Sequence, residues 1–210
     1  MGKTIVFQGD SITDTGRSRQ TREANTGLGS GYAYMTMAYL CYHEAEKNFR
    51  IYNRGTGGDR VVDLYARWKI DALNLKPDIL SILVGVNDTW REVELQDGVE
   101  VERYEVIYRM MLEWTRRELP QVKLVLMEPF VLLTGAVNDK WLPEITERQK
   151  IVRLLAEEFD AIFIPLQTLF NEALQRVPEP AYWTVDGVHP TPQGHLMISE
   201  AWLNATKSIR

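Results

Sequence analysis

Short apolar runs alternate along the chain with stretches in which apolar side chains recur every three or four positions. Thr4-Ile5-Val6-Phe7 reads as a first strand, stopped by Gly9-Asp10. Ala33, Met37, Leu40 and Cys41 fall at helical spacing and predict a helix over 31–47. Phe49 to Asn53 is a second strand, and Gly55, Gly57 and Gly58 mark the turn after it. Val61, Leu64, Tyr65, Trp68 and Ala72 form one helical face. Asp78 to Gly85 is a third strand, apolar on both faces, as a buried parallel strand must be. Residues 101–118 place Tyr104, Tyr108, Met111 and Thr115 on one side of a helix, and Val122 to Met127 is a fourth strand. A helix over 141–158 faces inward through Val152, Leu155, Ala156 and Phe159, before a fifth strand at Ala161 to Ile164. Helices near 166–175 and 192–207 close the chain, the last with Thr191 as N-cap and Pro192 in its first turn.

This alternation predicts an α/β fold: one five-stranded parallel sheet with helices on both faces, in a single domain over 1–210. The polar, glycine-containing stretches 14–30 and 86–100 read as long loops, which in such folds usually belong to the site.

Composition narrows the classes. With 210 residues, 45% hydrophobic and 25% charged, the chain is neither disordered nor fibrous. A net charge of −5 argues against nucleic acid as partner, because phosphate binding wants a basic face. No apolar run approaches the length of a membrane span. The start at Met1-Gly2-Lys3-Thr4 lacks the features of a signal peptide, so a cytoplasmic protein with no membrane partner is expected. Cys41 is the only cysteine and has no internal partner.

In open α/β sheets, ligands bind beyond the carboxyl ends of the strands. Gly9-Asp10-Ser11-Ile12-Thr13 follows the first strand and Asn53-Arg54-Gly55-Thr56-Gly57-Gly58-Asp59 the second. Gly85-Val86-Asn87-Asp88 follows the third, and Asp186-Gly187-Val188-His189-Pro190 precedes the last helix. Each segment alone reads as an ordinary turn or cap, and the glycine loop lacks the lysine of a phosphate-binding loop. Together they supply the parts of an acyl-transfer site. Ser11 is a candidate nucleophile, His189 the base that takes its proton, and Asp186 the group that orients the ring. The Ser11 and Gly58 N–H groups and the Asn87 amide are candidate donors to the developing oxyanion.

In this order, the four segments resemble the blocks of the SGNH hydrolases, also called GDSL esterases/lipases. The resemblance spans residues 9 to 189. It implies a three-layer α/β/α, flavodoxin-like fold and a serine esterase that needs no cofactor. It assigns Ser11, His189 and Asp186 to catalysis, and Ser11, Gly58 and Asn87 to the oxyanion hole. Gly57 is the alternative to Gly58, which is preferred because it directly precedes Asp59 and the helix. An α/β-hydrolase elbow would need a glycine where Thr13 stands. Within the family, Gly-Asp-Ser-Ile-Thr-Asp-x-Gly-Arg (9–17), Asp-Leu-x-Ala-Arg-Trp (63–68), Asn-Asp-x-Trp-Arg (87–91) and His-Pro-x-x-x-Gly-His (189–195) resemble single-domain bacterial acetylxylan esterases. That implies removal of acetyl groups from xylo-oligosaccharides by a homo-oligomer.

Trp90 and Trp183 flank the segments and are candidate sugar platforms, with packing into the rim as the bland alternative. Arg91 is a candidate substrate contact, whereas Arg17 reads as a solvated loop charge and Trp68 and Trp202 as core. No metal site is expected: His189 and His195 have no further ligand at suitable spacing. His195 is expected to tie down the start of the last helix. Two rival readings stand beside the deacetylase: a lysophospholipase, thioesterase or other short-chain esterase on the same site, and a non-enzymatic flavin- or phosphate-binding module.

Overall fold

Every residue of the first strand, β1 (Thr4–Gly9), is buried, because helices cover both sides of it. The computed structural model describes residues 2–210. β1 lies between β2 (Arg50–Asn53) and β3 (Ile79–Leu83), and the sheet continues through β4 (Lys123–Met127) to β5 (Ile162–Ile164). All four neighbouring pairs are parallel, and the order β2-β1-β3-β4-β5 is the flavodoxin-like one.

Successive strand residues point to opposite faces, so each face collects its own core. Ile5 and Phe7 join Ile51, Ile79 and Val125 under α2 (Tyr32–His43), α7 (Leu166–Arg176) and α9 (Pro192–Ala205). Val6, Leu80, Ile82 and Leu124 face α3 (Val61–Asp71), α5 (Val101–Glu118) and α6 (Trp141–Glu158). The result is three layers. Trp202 and Trp68 are fully buried, one in each core. Their indole N–H groups donate to Ser81 Oγ at 3.1 Å and Thr115 Oγ1 at 2.9 Å, so burial leaves neither indole unpaired. Truncating either to alanine should cost about 3–5 kcal/mol.

Several elements depart from expectation. Residues 86–100 are not a loop: α4 (Val86–Leu95) fills most of the stretch. Its polar first turn is buried, because Asp88 accepts the Val61 N–H at the start of α3. The helix expected over 31–47 ends at His43, where a short 3-10 turn (Ala45–Lys47) follows. Cys41 lies on the outer face of α2, not the inner one. Two one-turn helices, α1 (Ser11–Asp14) and α8 (Pro180–Trp183), had no periodicity long enough to reveal them. Among the described residues, no helix is long and apolar enough to cross a membrane.

Candidate active site

The site gathers at the carboxyl edge of the sheet, where the chain leaves β1 and β3 in opposite senses. Ser11 is the first residue of α1. Asp10 caps that turn by accepting the Ile12 N–H at 2.9 Å. Gly9 is required by crowding: a Cβ there would stand 2.3 Å from the Leu83 carbonyl oxygen.

The loop between α8 and α9 carries Asp186 and His189 to this serine. Ser11 Oγ and His189 Nε2 are 2.9 Å apart. His189 Nδ1 lies 2.7 Å from Asp186 Oδ2. The other carboxylate oxygen accepts the backbone N–H groups of Val188 at 3.0 Å and His189 at 2.8 Å. Burial alone would raise the Asp186 pKa, but these donors and the ring outweigh it and hold the carboxyl below its ordinary value. Asp186 therefore stays ionised at neutral pH. The loop is backed by residues 132–136: Leu132 N–H donates to Gly187 and Ala136 N–H to Asp186. Gly187 has φ +93° and packs where a Cβ would meet the Leu132 and Thr134 carbonyls at 2.5 Å, so only glycine fits.

The glycine loop after β2 arrives beside Ser11, and nearly every N–H in it is spoken for. Thr56 N–H donates to Gly9 at 2.9 Å, Gly57 N–H to Asp14 Oδ2 at 2.9 Å and Asp59 N–H to Thr56 at 3.2 Å. Among the described residues, the Gly58 and Ser11 N–H groups have no acceptor. Asn87 uses one amide hydrogen on the Asp59 carbonyl at 3.1 Å, which leaves the second available. Gly57, whose N–H is committed, is therefore the poorer of the two glycine candidates.

Beneath the site lie two carboxyls that burial pushes up to about 7, Asp10 and Asp88. Asp88 holds the Val61 N–H with both oxygens, whereas Asp10 Oδ2 has no partner.

The remaining candidates divide. The half-buried Trp90 stands beside the site, its ring centre 6.3 Å from that of His189 and 5.2 Å from that of Trp141. Trp183 does not present a face to solvent: it is 5% exposed and its indole N–H donates to the Val177 carbonyl at 3.1 Å. That corrects its assignment as a sugar platform. Arg91 pairs with Asp97 through Nη2, and its Nε has no partner among the described residues. Arg17, expected in solvent, is 8% exposed and bonds the Gly55 carbonyl and Thr56 Oγ1. His195 accepts the Tyr32 N–H through Nδ1 at 3.3 Å, tying α9 to the start of α2. Asp14 is the neighbour of the site to which sequence reasoning gave no role, and Arg17 the one it misread as solvated. The signal available was an acid one helical turn after the serine.

A serine hydroxyl hydrogen-bonded to an imidazole, with an ionised carboxylate behind it and unpaired N–H groups in front, can attack an acyl carbon and stabilise the resulting oxyanion.

Comparison with known proteins agrees with this chemistry. Residues 7–197 match the model of the GDSL-like lipase/acylhydrolase family. An acetylxylan esterase from Geobacillus stearothermophilus is 36% identical over 208 residues, 96% of this chain and 93% of its own length. A crystal structure of that species' acetylxylan esterase superposes with a TM-score of 0.88 at 34% identity, covering 97% of this chain and 94% of that one. Its solved catalytic mutants replace a serine, a histidine and an aspartate. A GDSL-like lipase from Parabacteroides merdae superposes with a TM-score of 0.93 at 42% identity, over 100% of this chain and 98% of that one.

Proposed function

The chain belongs to the GDSL-like lipase/acylhydrolase family and is a carboxylic ester hydrolase, and we propose that it removes acetyl groups from carbohydrate through an acetyl-Ser11 intermediate, with acetylated xylo-oligosaccharides as substrate. The observation that carries the mechanism is the continuous line from Ser11 Oγ through His189 to Asp186, with contacts of 2.9 and 2.7 Å. The substrate class rests on the acetylxylan esterase relative.

Ser11 Oγ attacks the acetyl carbon while His189 Nε2 takes its proton. The carbonyl π bond opens, and its electrons settle on an oxyanion facing the Ser11 and Gly58 N–H groups and the Asn87 amide. Each such donor is worth on the order of 10²–10³ in rate, because it meets charge only as the charge forms. His189 passes the proton to the departing sugar oxygen as the C–O bond breaks. Water, deprotonated by the same imidazole, then attacks the acetyl-enzyme. Acetate leaves and Ser11 regains its proton. Asp186 keeps Nδ1 protonated, so that Nε2 presents a lone pair to the serine. Trp90, beside His189, is the aromatic surface available to the sugar of the leaving group. The folded unit acts as one domain, and the oligosaccharide ester is its small-molecule partner.

Paired rates on acetyl and octanoyl esters test the acyl group. Acetyl transfer faster per enzyme is expected. A preference for octanoyl would replace the deacetylase with a longer-chain acyl esterase on the same residues.

A further inference from the structure

Asp14 stands one helical turn after Ser11, and its carboxylate reaches across to the glycine loop. Oδ2 accepts the Gly57 N–H at 2.9 Å and pairs with the Arg19 guanidinium, while Oδ1 accepts the Arg17 N–H at 3.1 Å. The loop is pressed onto this turn. A Cβ on Gly55 would lie 2.5 Å from the Asp14 nitrogen, and one on Gly57 would lie 3.8 Å from Ser11 Cβ. Arg17 seals the contact: its Nε donates to the Gly55 carbonyl and its Nη2 reaches Thr56 Oγ1 at 3.4 Å. On the far side the loop is held by Asn87 at the Asp59 carbonyl and by Asp88 at the Val61 N–H. Gly58, at φ +83°, is the unclamped residue between these anchors.

We propose that Asp14, supported by Arg17, is a positioning residue for the oxyanion hole: by occupying the Gly57 N–H it fixes the glycine loop to the nucleophile's own turn and leaves the Gly58 N–H as the donor. This rests on the reading of Ser11 as nucleophile. The carboxylate is ionised for the work: burial opposes its charge, but the Arg19 hydrogen bond and the Gly57 N–H outweigh burial and hold its pKa below the ordinary value. A donor displaced by a fraction of an ångström loses much of its value to the transition state, while ground-state binding barely changes.

The test is hydrolysis of 4-nitrophenyl acetate by Asp14→Ala, Asp14→Asn and Arg17→Lys. Rates are expressed per active serine, counted by reacting each protein to completion with a fluorophosphonate. Asp14→Ala should lower kcat about ten- to a hundredfold with KM within about threefold, a fraction of the loss for deleting a donor outright. Asp14→Asn should recover most of it. One amide oxygen suffices for Gly57, since the Arg17 N–H also has the Asp14 backbone carbonyl at 2.9 Å. Arg17→Lys should show a smaller loss of the same kind. A merely structural role would reduce the number of active serines and leave kcat per serine unchanged. That result, a loss confined to KM, or Asp14→Asn no better than alanine would overturn the proposal. Wild-type turnover that survives Ser11→Ala would instead overturn the reading of Ser11, and the inference with it.

Discussion

Asp186 holds His189 twice: Oδ2 is 2.7 Å from the ring Nδ1, and Oδ1 accepts the histidine's own backbone N–H at 2.8 Å. The second bond turns the carboxylate so that the first can form. It also sets what an amide would do in its place. With Oδ1 committed to the N–H groups of Val188 and His189, Asp186→Asn must point its NH₂ at Nδ1. The ring then keeps its proton on Nε2, the wrong tautomer for a base. Asp186→Asn is expected to lose about 10⁴ in kcat, and Asp186→Ala less, because alanine leaves the tautomer free. Steady-state kinetics on 4-nitrophenyl acetate check the order. An amide variant more active than the alanine variant contradicts it.

The donors proposed for the oxyanion make a second set of expectations. Asn87→Ala should lower kcat by about 10²–10³ with little change in KM. Gly58→Ala should cost more than Gly57→Ala. Alanine at 58 must adopt φ +83°, whereas a Cβ at 57 meets only ordinary contacts at 3.7 and 3.8 Å. Parallel kinetics of the two alanine variants read this directly, and a larger loss at Gly57 would move the donor to that residue.

Acid should unfold the protein partly through His195. Burial, with a smaller contribution from the nearby His189, depresses its pKa from 6.5 to about 4. The unfolded chain takes up this proton near the ordinary value and the folded one does not. The unfolded state thus binds more protons between these values, and stability falls as pH drops. The stabilisation is complete above about pH 6.5 and shrinks by up to about 3 kcal/mol as pH approaches 4. Urea unfolding of wild type and His195→Gln at pH 7 and pH 4.5 isolates the effect. The wild-type advantage should narrow at the lower pH, and an advantage that stays constant or grows contradicts it.

Trp90 should matter for sugar more than for acyl transfer. Trp90→Ala is expected to raise KM for acetylated xylo-oligosaccharides several-fold more than KM for 4-nitrophenyl acetate, which has no sugar to lose. Equal effects on both would mean that the ring only packs against Trp141.

The strands and most helices were legible because parallel strands buried on both faces must be apolar throughout, and covering helices must carry a stripe. Ser11, Asn87, Asp186 and His189 were legible as candidates because each follows a strand or precedes a helix in a recognisable block. What stayed hidden depends on contacts far along the chain. The start of α4 looks like a polar loop, and only the Val61 N–H, 27 residues away, explains why Asp88 is buried. Arg17 looks solvated because its partner is a backbone carbonyl 38 residues on, which has no side-chain signature. Trp183 sits next to the block in sequence, yet its indole turns inward to the Val177 carbonyl.

The most direct measurement is acetate release from acetylated xylo-oligosaccharides by wild type beside Ser11→Ala. Release by wild type and none by the variant is the expected result. Equal release by both would contradict Ser11 as nucleophile, and no release by a wild type that cleaves 4-nitrophenyl acetate would contradict the carbohydrate substrate.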